Sequence, residues 1–237
     1  MPRFFVDTPL TAAGELSLPP GAARHVQVLR LQPGDAVTLF DGSGPEWQAE
    51  VTAMGRSEVR VKLIAAEQPA RELTRSVTLA VVMPANDRMD FLVEKATELG
   101  AAVLQPLMSE RSVLRLTGDR ADKKRAHWQG VAIAAAEQSG RTVPLQVAPV
   151  QTLSGWLAAL PPAGADEWRG LLSPRAASPW ATPAHPRAVF LSGPEGGLSD
   201  AEEDAARARG FSPVTLGPRV LRADTAPLAV LAALSLS

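Results

Sequence analysis

The stretch that decides the reading is LGPRVLRADTAPLAVLAALS, residues 216–235: an apolar strand end, a Gly-Pro turn, two arginines, an acid and an apolar helix. A second turn of the same build, LSGPEGGL at 191–198, stands just upstream, between a hydrophobic run at 188–191 and a helix opened by Ser199. In an open α/β sheet such turns lie at the carboxyl ends of strands, where backbone N–H groups are free to meet a ligand. Two of them can converge on one ligand.

Working outward, strand-like and helix-like runs alternate from residue 77. Strands are expected at 77–83, 102–108, 145–149, 168–172, 188–192 and 212–216. Helices are expected at 88–99, 119–138, 152–160, 199–209 and at the C-terminus. This alternation implies a largely parallel sheet covered on both faces. Residues 173–186 carry four prolines, too stiff for a tight connection, and are expected to lie over an edge or a site. Residues 3–66 read differently, as short β-runs at 3–6, 15–18, 36–40, 46–54 and 58–65 with a short helix at 22–31, the pattern of a small β-barrel. Gly42-Ser43-Gly44 is followed by a strand rather than a helix, so it reads as a hairpin turn and not as a dinucleotide loop. The polar segment 67–76 is the expected boundary, giving a barrel over 1–70 and an α/β domain over 71–237.

Composition excludes several classes. The chain of 237 residues has no cysteine, and its three histidines, His25, His127 and His185, are too scattered for a metal site, so neither disulfide nor metal is expected. No apolar run reaches membrane-spanning length and the start lacks the order of a signal peptide, so the expected address is cytoplasmic, with no membrane partner. The net charge is −1, yet between Arg111 and Arg125 six basic residues face two acids. Such a local patch suits a phosphate backbone, although a solvated helix face gives the same pattern.

In the first turn Gly193, Gly196 and Gly197 permit close backbone approach, Pro194 stiffens the chain, and Glu195 is the ionisable side chain. Ser199 with Glu202 forms a capping box, so Glu202 has a structural task. In the second turn Arg219 and Arg222 bracket Val220-Leu221, and Asp224 has two readings, N-cap of the last helix or proton acceptor. Arginine beside a helix start opposes the helix dipole, which an anionic ligand would explain. Trp128, in an apolar helical pattern with Val131 and Ile133, is expected in the core.

The residues SGPEGGLSDAE and LGPRVLRADTAPLAVLAAL, with PRFFV, HVQVLRLQPGD, RMDFLVEKATELGAAVLQPLMSERSV and KKRAHWQGVAIAAAEQSGR in the same order, resemble the RsmE family of SPOUT-class RNA methyltransferases. The resemblance implies S-adenosyl-L-methionine-dependent methylation of ring nitrogen 3 of a uridine in 16S ribosomal RNA. It implies an N-terminal PUA-like RNA-binding barrel, a C-terminal α/β domain tied in a trefoil knot, and a homodimer acting on 16S rRNA or the small ribosomal subunit. It places the cofactor against Leu172, Ser173, Leu191, Ser192, Gly193, Glu195, Gly196, Gly197, Leu216, Gly217, Val220, Leu221, Arg222, Ala223 and Thr225. Arg222 becomes the candidate for stabilising the uridine anion, with Asp224 or Glu195 as the proton acceptor. Arg3, His25, Arg30, Arg111, Lys123, Lys124 and Arg125 become candidates for RNA contact. One residue departs from the pattern: Asp224 stands where similar proteins usually carry glutamate. A methyltransferase acting on another RNA, a nucleotide-binding enzyme of another kind and a non-catalytic RNA-binding protein remain the alternatives; no Walker lysine follows the glycines.

Overall fold

The computed structural model describes residues 1–56, 58–85, 88–176 and 178–236. The chain divides into two compact units: Met1–Glu72 with Ala136–Pro144, and Leu73–Ala135 with Leu145–Ser237. The first boundary thus falls two residues beyond the position expected. The return of 136–144 to the first unit was not expected. Its cause lies in polar contacts made over long sequence separations. The Glu72 carboxylate accepts from the backbone N–H groups of Thr142 and Val143 and from the Arg141 guanidinium. Arg3 donates to the carbonyls of Gly140 and Arg141, and Glu137 accepts from Phe5 N–H at 2.9 Å.

The first unit is a five-stranded sheet in the order β1-β3-β4-β5-β2, with β1 Arg3–Phe5, β2 Gly14–Ser17, β3 Ala36–Phe40, β4 Glu46–Met54 and β5 Val59–Glu67. Alternation along β5 puts Val59, Val61 and Leu63 in a core with Phe4, Val37, Leu39 and Val51. The hairpin reading of Gly42-Ser43-Gly44 holds: β3 and β4 pair antiparallel from Phe40 opposite Glu46, and Asp41 accepts from Ser43 N–H. Helix α1, Pro20–Val28, ends earlier than the expected residue 31. Arg30 adopts φ 57°, and the bonds Arg30 N–H to Gln27 and Leu31 N–H to Val26 close a Schellman motif that glycine usually serves. Around the sheet edge, burial raises the Glu46 carboxyl, but the Arg3 and Arg71 guanidiniums outweigh it and hold the group below its ordinary value.

The second unit is a seven-stranded, wholly parallel sheet in the order β12-β10-β11-β6-β7-β8, with β9 pairing β7. Its strands are β6 Ser76–Val82, β7 Val103–Met108, β8 Gln146–Val147, β9 Gln151–Thr152, β10 Glu167–Leu172, β11 Arg187–Ser192 and β12 Ser212–Val214. The helices are α2 Arg88–Glu98, α3 Gly118–Ser139, α4 Leu153–Ala159, α5 Asp200–Ala208 and α6 Thr225–Ser235. The sequence SVTLAVV explains why both faces are covered. Val77, Leu79 and Val81 point to one core with α2, α3 and α6, whereas Ala80 and Val82 point to the other with α4 and α5. Trp128 is fully buried in the first core, as expected. The proline-rich connection after β10 does lie over the sheet edge: Trp180 N–H donates to the Thr215 carbonyl and Thr215 N–H to that of Ser178 beside β12, and Trp180 packs against Trp168 and Phe190.

Candidate functional site: a cavity between three strand ends

Three adjacent strands, β12, β10 and β11, end side by side, and the segments leaving them enclose a cavity of about 560 Å³. The wall after β11 is the 193–198 turn. A Cβ on Gly193 would come within 3.1 Å of the Leu198 backbone nitrogen, so a side chain there would push the two strands of the turn apart by a few tenths of an ångström. Gly197 sits at φ 67°, where a side chain is strained, and the space a Cβ would occupy is open. The turn is fastened from several sides. Arg111 donates to the Gly196 carbonyl at 2.8 Å, Glu195 accepts from Ala85 N–H at 3.0 Å, and Gly197 N–H closes onto Pro194. The expected capping box is present: Ser199 Oγ accepts from Glu202 N–H, and the Glu202 carboxylate from Ser199 N–H.

The wall after β12 is built differently. Gly217, at φ 102°, turns the chain, and Arg222 accepts from the N–H groups of Thr225 and Ala226 to start α6. Val220 is 83% exposed. Arg219 and Arg222 line the cavity and are exposed, and their guanidiniums make no hydrogen bond or ion pair with a described residue. Asp224 occupies the N-cap position but makes no capping bond, because it lies in αR geometry rather than the extended backbone a cap uses. Its carboxylate instead pairs with Arg88 at 3.1 Å. The cap reading of Asp224 is therefore replaced by a long-range ion pair.

The third wall follows β10. Ser173 donates through its hydroxyl to Glu203, and Arg175 reaches Glu203 at 2.8 Å and Asp200 at 2.9 Å. Glu203 first, and Asp200 after it, raise the Arg175 guanidinium above its ordinary value. Glu203 is itself buried and takes a second arginine, Arg207, at 2.8 Å. Leu171, Leu172, Val214, Leu216 and Leu221 make the interior largely apolar. Ser192 Oγ, buried at the end of β11 in the cavity wall, has no hydrogen-bond partner among the described residues. An orphaned hydroxyl there is a group awaiting a ligand atom.

Of the residues expected to hold the cofactor, all but three line this cavity. Leu191 is in the core beneath it, and Gly217 and Thr225 stand outside the lining. Glu195 and Arg222 face the cavity and Asp224 does not. The structure adds Arg175, Glu203, Arg219 and Arg111 to the wall. Arg111 had been grouped with the basic patch; of the rest, Arg115 precedes α3 and donates to the Ser109 and Glu110 carbonyls, while the others lie on α3, with Lys123 and Lys124 exposed and Arg125 donating to Val147 O. In the first unit Arg3 is bound by Glu46 and two carbonyls, His25 faces Glu137 at 3.3 Å, and Arg30 is exposed. Arg175 and Glu203 carried no sequence signal beyond charge, since they meet over 28 residues.

An α/β unit with a cavity at its strand ends, carried with a small β-unit, defines a class. Residues 71–235 match the family model of the RNA methyltransferase domain, and residues 18–64 match that of the RNA methyltransferase PUA domain. A Bacillus subtilis relative, ribosomal RNA small subunit methyltransferase E, is 30% identical over 99% of this chain and 96% of its own. The Synechocystis protein of the same name is 35% identical over 87% of this chain and 67% of its own. The crystal structure of the Neisseria gonorrhoeae enzyme of that name, bound to S-adenosyl methionine, superposes with a TM-score of 0.91 at 36% identity, over 100% of this chain and 97% of that one. A Legionella pneumophila putative methyltransferase with bound SAM gives 0.91 at 30% identity, over 99% and 96%. The chain belongs to the ribosomal RNA small subunit methyltransferase E family.

Proposed function

We propose that this protein transfers a methyl group from S-adenosyl-L-methionine to ring nitrogen 3 of a uridine in 16S ribosomal RNA, in the cytoplasm, as a homodimer whose C-terminal segment is threaded as a trefoil knot. The observation that carries the reading is the cavity itself. Its volume lies in the range of small-molecule sites, its interior is apolar, and its glycine turns and orphaned Ser192 hydroxyl offer main-chain and hydroxyl contacts to a flat, polar-edged ligand. Leu172, Ser173, Ser192, Gly193, Gly196, Gly197, Leu216 and Leu221 would hold the cofactor, which supplies an electrophilic methyl group when bound. Support for the homodimer comes from α6, TAPLAVLAALS, which has no charged side chain and leaves Leu228, Ala229, Ala232 and Ala233 only partly buried.

The protein's task is to orient the uracil ring and ease loss of its weakly acidic imide proton. The Arg222 guanidinium, which faces the cavity and pairs with no described residue, stabilises the negative charge that develops on the ring. Glu195 is the better-placed proton acceptor of the two acids, since it lines the cavity with one oxygen held by Ala85 N–H. Asp224, tied to Arg88, acts by fixing the turn that presents Arg222.

Methyl-labelled S-adenosylmethionine, incubated with the protein and 16S rRNA or small subunits, should yield 3-methyluridine on nucleoside digestion and mass spectrometry. Label on a ribose hydroxyl or another base would replace the uridine-N3 reading. Cofactor binding without transfer to any RNA would favour the non-catalytic alternative.

A further inference from the structure

A second hollow, of about 300 Å³, lies in the same α/β unit as the cavity. Met89, Val113, Leu114 and Trp128 form its apolar side. Arg120 and Lys124 form the other. These two cations stand one turn apart on α3, on the stripe that continues to Trp128. Like charges at this spacing oppose each other, and neither side chain has a hydrogen bond or ion pair with a described residue. The carboxylate in the hollow, Asp90, is already engaged by His127 at 2.7 Å and by the Trp128 indole N–H at 3.1 Å. The hollow therefore presents an apolar wall next to two positive side chains that pair with no described residue.

Two connections join it to the cofactor cavity. Ala85, which lines the hollow, donates its N–H to Glu195 of the cavity wall. The segment carrying Val113 and Leu114 also carries Arg111, which lines the cavity and holds the Gly196 carbonyl. We propose that this hollow binds one nucleotide of the RNA substrate flanking the methylated uridine, its base against the apolar wall and its phosphate on Arg120 and Lys124. An unstacked base on an apolar surface with its phosphate on paired cations is how single-stranded RNA is commonly held. The inference rests on the RNA methyltransferase reading and extends it to a named subsite.

The test uses the full-length protein and a 16S rRNA transcript, with RNA affinity measured across a salt series and S-adenosylmethionine affinity by calorimetry. Arg120→Gln/Lys124→Gln should weaken RNA binding on the order of tenfold and make its salt dependence shallower. Val113→Asp, at a position 79% exposed and so harmless to folding, should weaken it through repulsion of the phosphate. Cofactor affinity should stay within about twofold of wild type for both, since neither variant touches that cavity. Arg187→Gln is the charge control: it removes one cation at the far end of β11, where Arg187 pairs with Asp166, and should leave RNA affinity within about twofold. Wild-type RNA affinity in both hollow variants overturns the proposal, as does an equal loss in Arg187→Gln, which would make the effect one of net charge. A wild-type protein that binds no RNA defeats the methyltransferase reading and the subsite with it. A wild-type protein that methylates while the hollow variants keep their RNA affinity defeats the subsite alone.

Discussion

The two Gly-Pro turns share a sequence design and differ in how they are held. The 193–198 turn is pinned by Arg111, by Ala85 through Glu195, by its own Pro194 to Gly197 bond and by the capping box that follows. The 215–224 turn is tied at its ends, by Thr215 to Ser178, Trp180 and Gly217 at one and by the Arg88 to Asp224 pair and the Arg222 carbonyl at the other, and between them it leaves Arg219, Val220 and Arg222 exposed. A fixed wall facing a looser one lets binding energy do two tasks. Under the proposed function the fixed turn would meet the cofactor without reorganising, whereas the looser turn would close onto it and carry Arg222 inward.

The largest break in that contrast should come from the fixed side. Gly197→Val places a β-branched residue at φ 67° with its side chain in the open space of the cavity, so S-adenosylmethionine affinity should fall by about a hundredfold or more while the fold persists. Calorimetry on the folded variant checks this; near wild-type affinity would remove the turn from the site. On the looser side the effect should appear in turnover. Arg222→Ala should lower the single-turnover methylation rate on the order of a hundredfold with little change in cofactor affinity, because its contact develops in the transition state. Equal losses in rate and affinity would instead make Arg222 a cofactor ligand.

A smaller effect separates the two roles open to Asp224. If it positions the turn through Arg88, then Arg88→Ala and Asp224→Asn should each cost roughly tenfold in rate, and the double variant should be little worse than either single one. If it accepts the proton, Asp224→Asn alone should cost far more than Arg88→Ala, and the two losses should add. Rates of the four proteins under single-turnover conditions decide between them.

Much of this was legible in the sequence because it is local. Ser199 and Glu202 announce a helix start by spacing alone, and the alternation in SVTLAVV foretells a sheet with two covered faces. Gly193 and Gly197 mark a tight turn without reference to anything distant. What was not legible depends on partners far along the chain. Asp224 reads as a cap until Arg88, 136 residues away, is seen to claim its carboxylate. Arg111 reads as one charge in a run until its guanidinium is found on the Gly196 carbonyl. Likewise 136–144 joins the first unit through Glu72, Phe5 and Arg3, pairings that carry no periodic signal.

S-adenosylmethionine is expected to bind between a turn already fixed and one that it orders. Backbone hydrogen exchange, followed by mass spectrometry over peptides covering 193–198 and 215–224 with and without saturating cofactor, reads both at once. In 193–198 the Gly197 amide, bonded to the Pro194 carbonyl, should be protected from the start and the segment should gain modestly on binding, whereas the amides of 215–224 should slow by about tenfold or more. Unchanged exchange at both turns, or protection confined to another part of the chain, would contradict it.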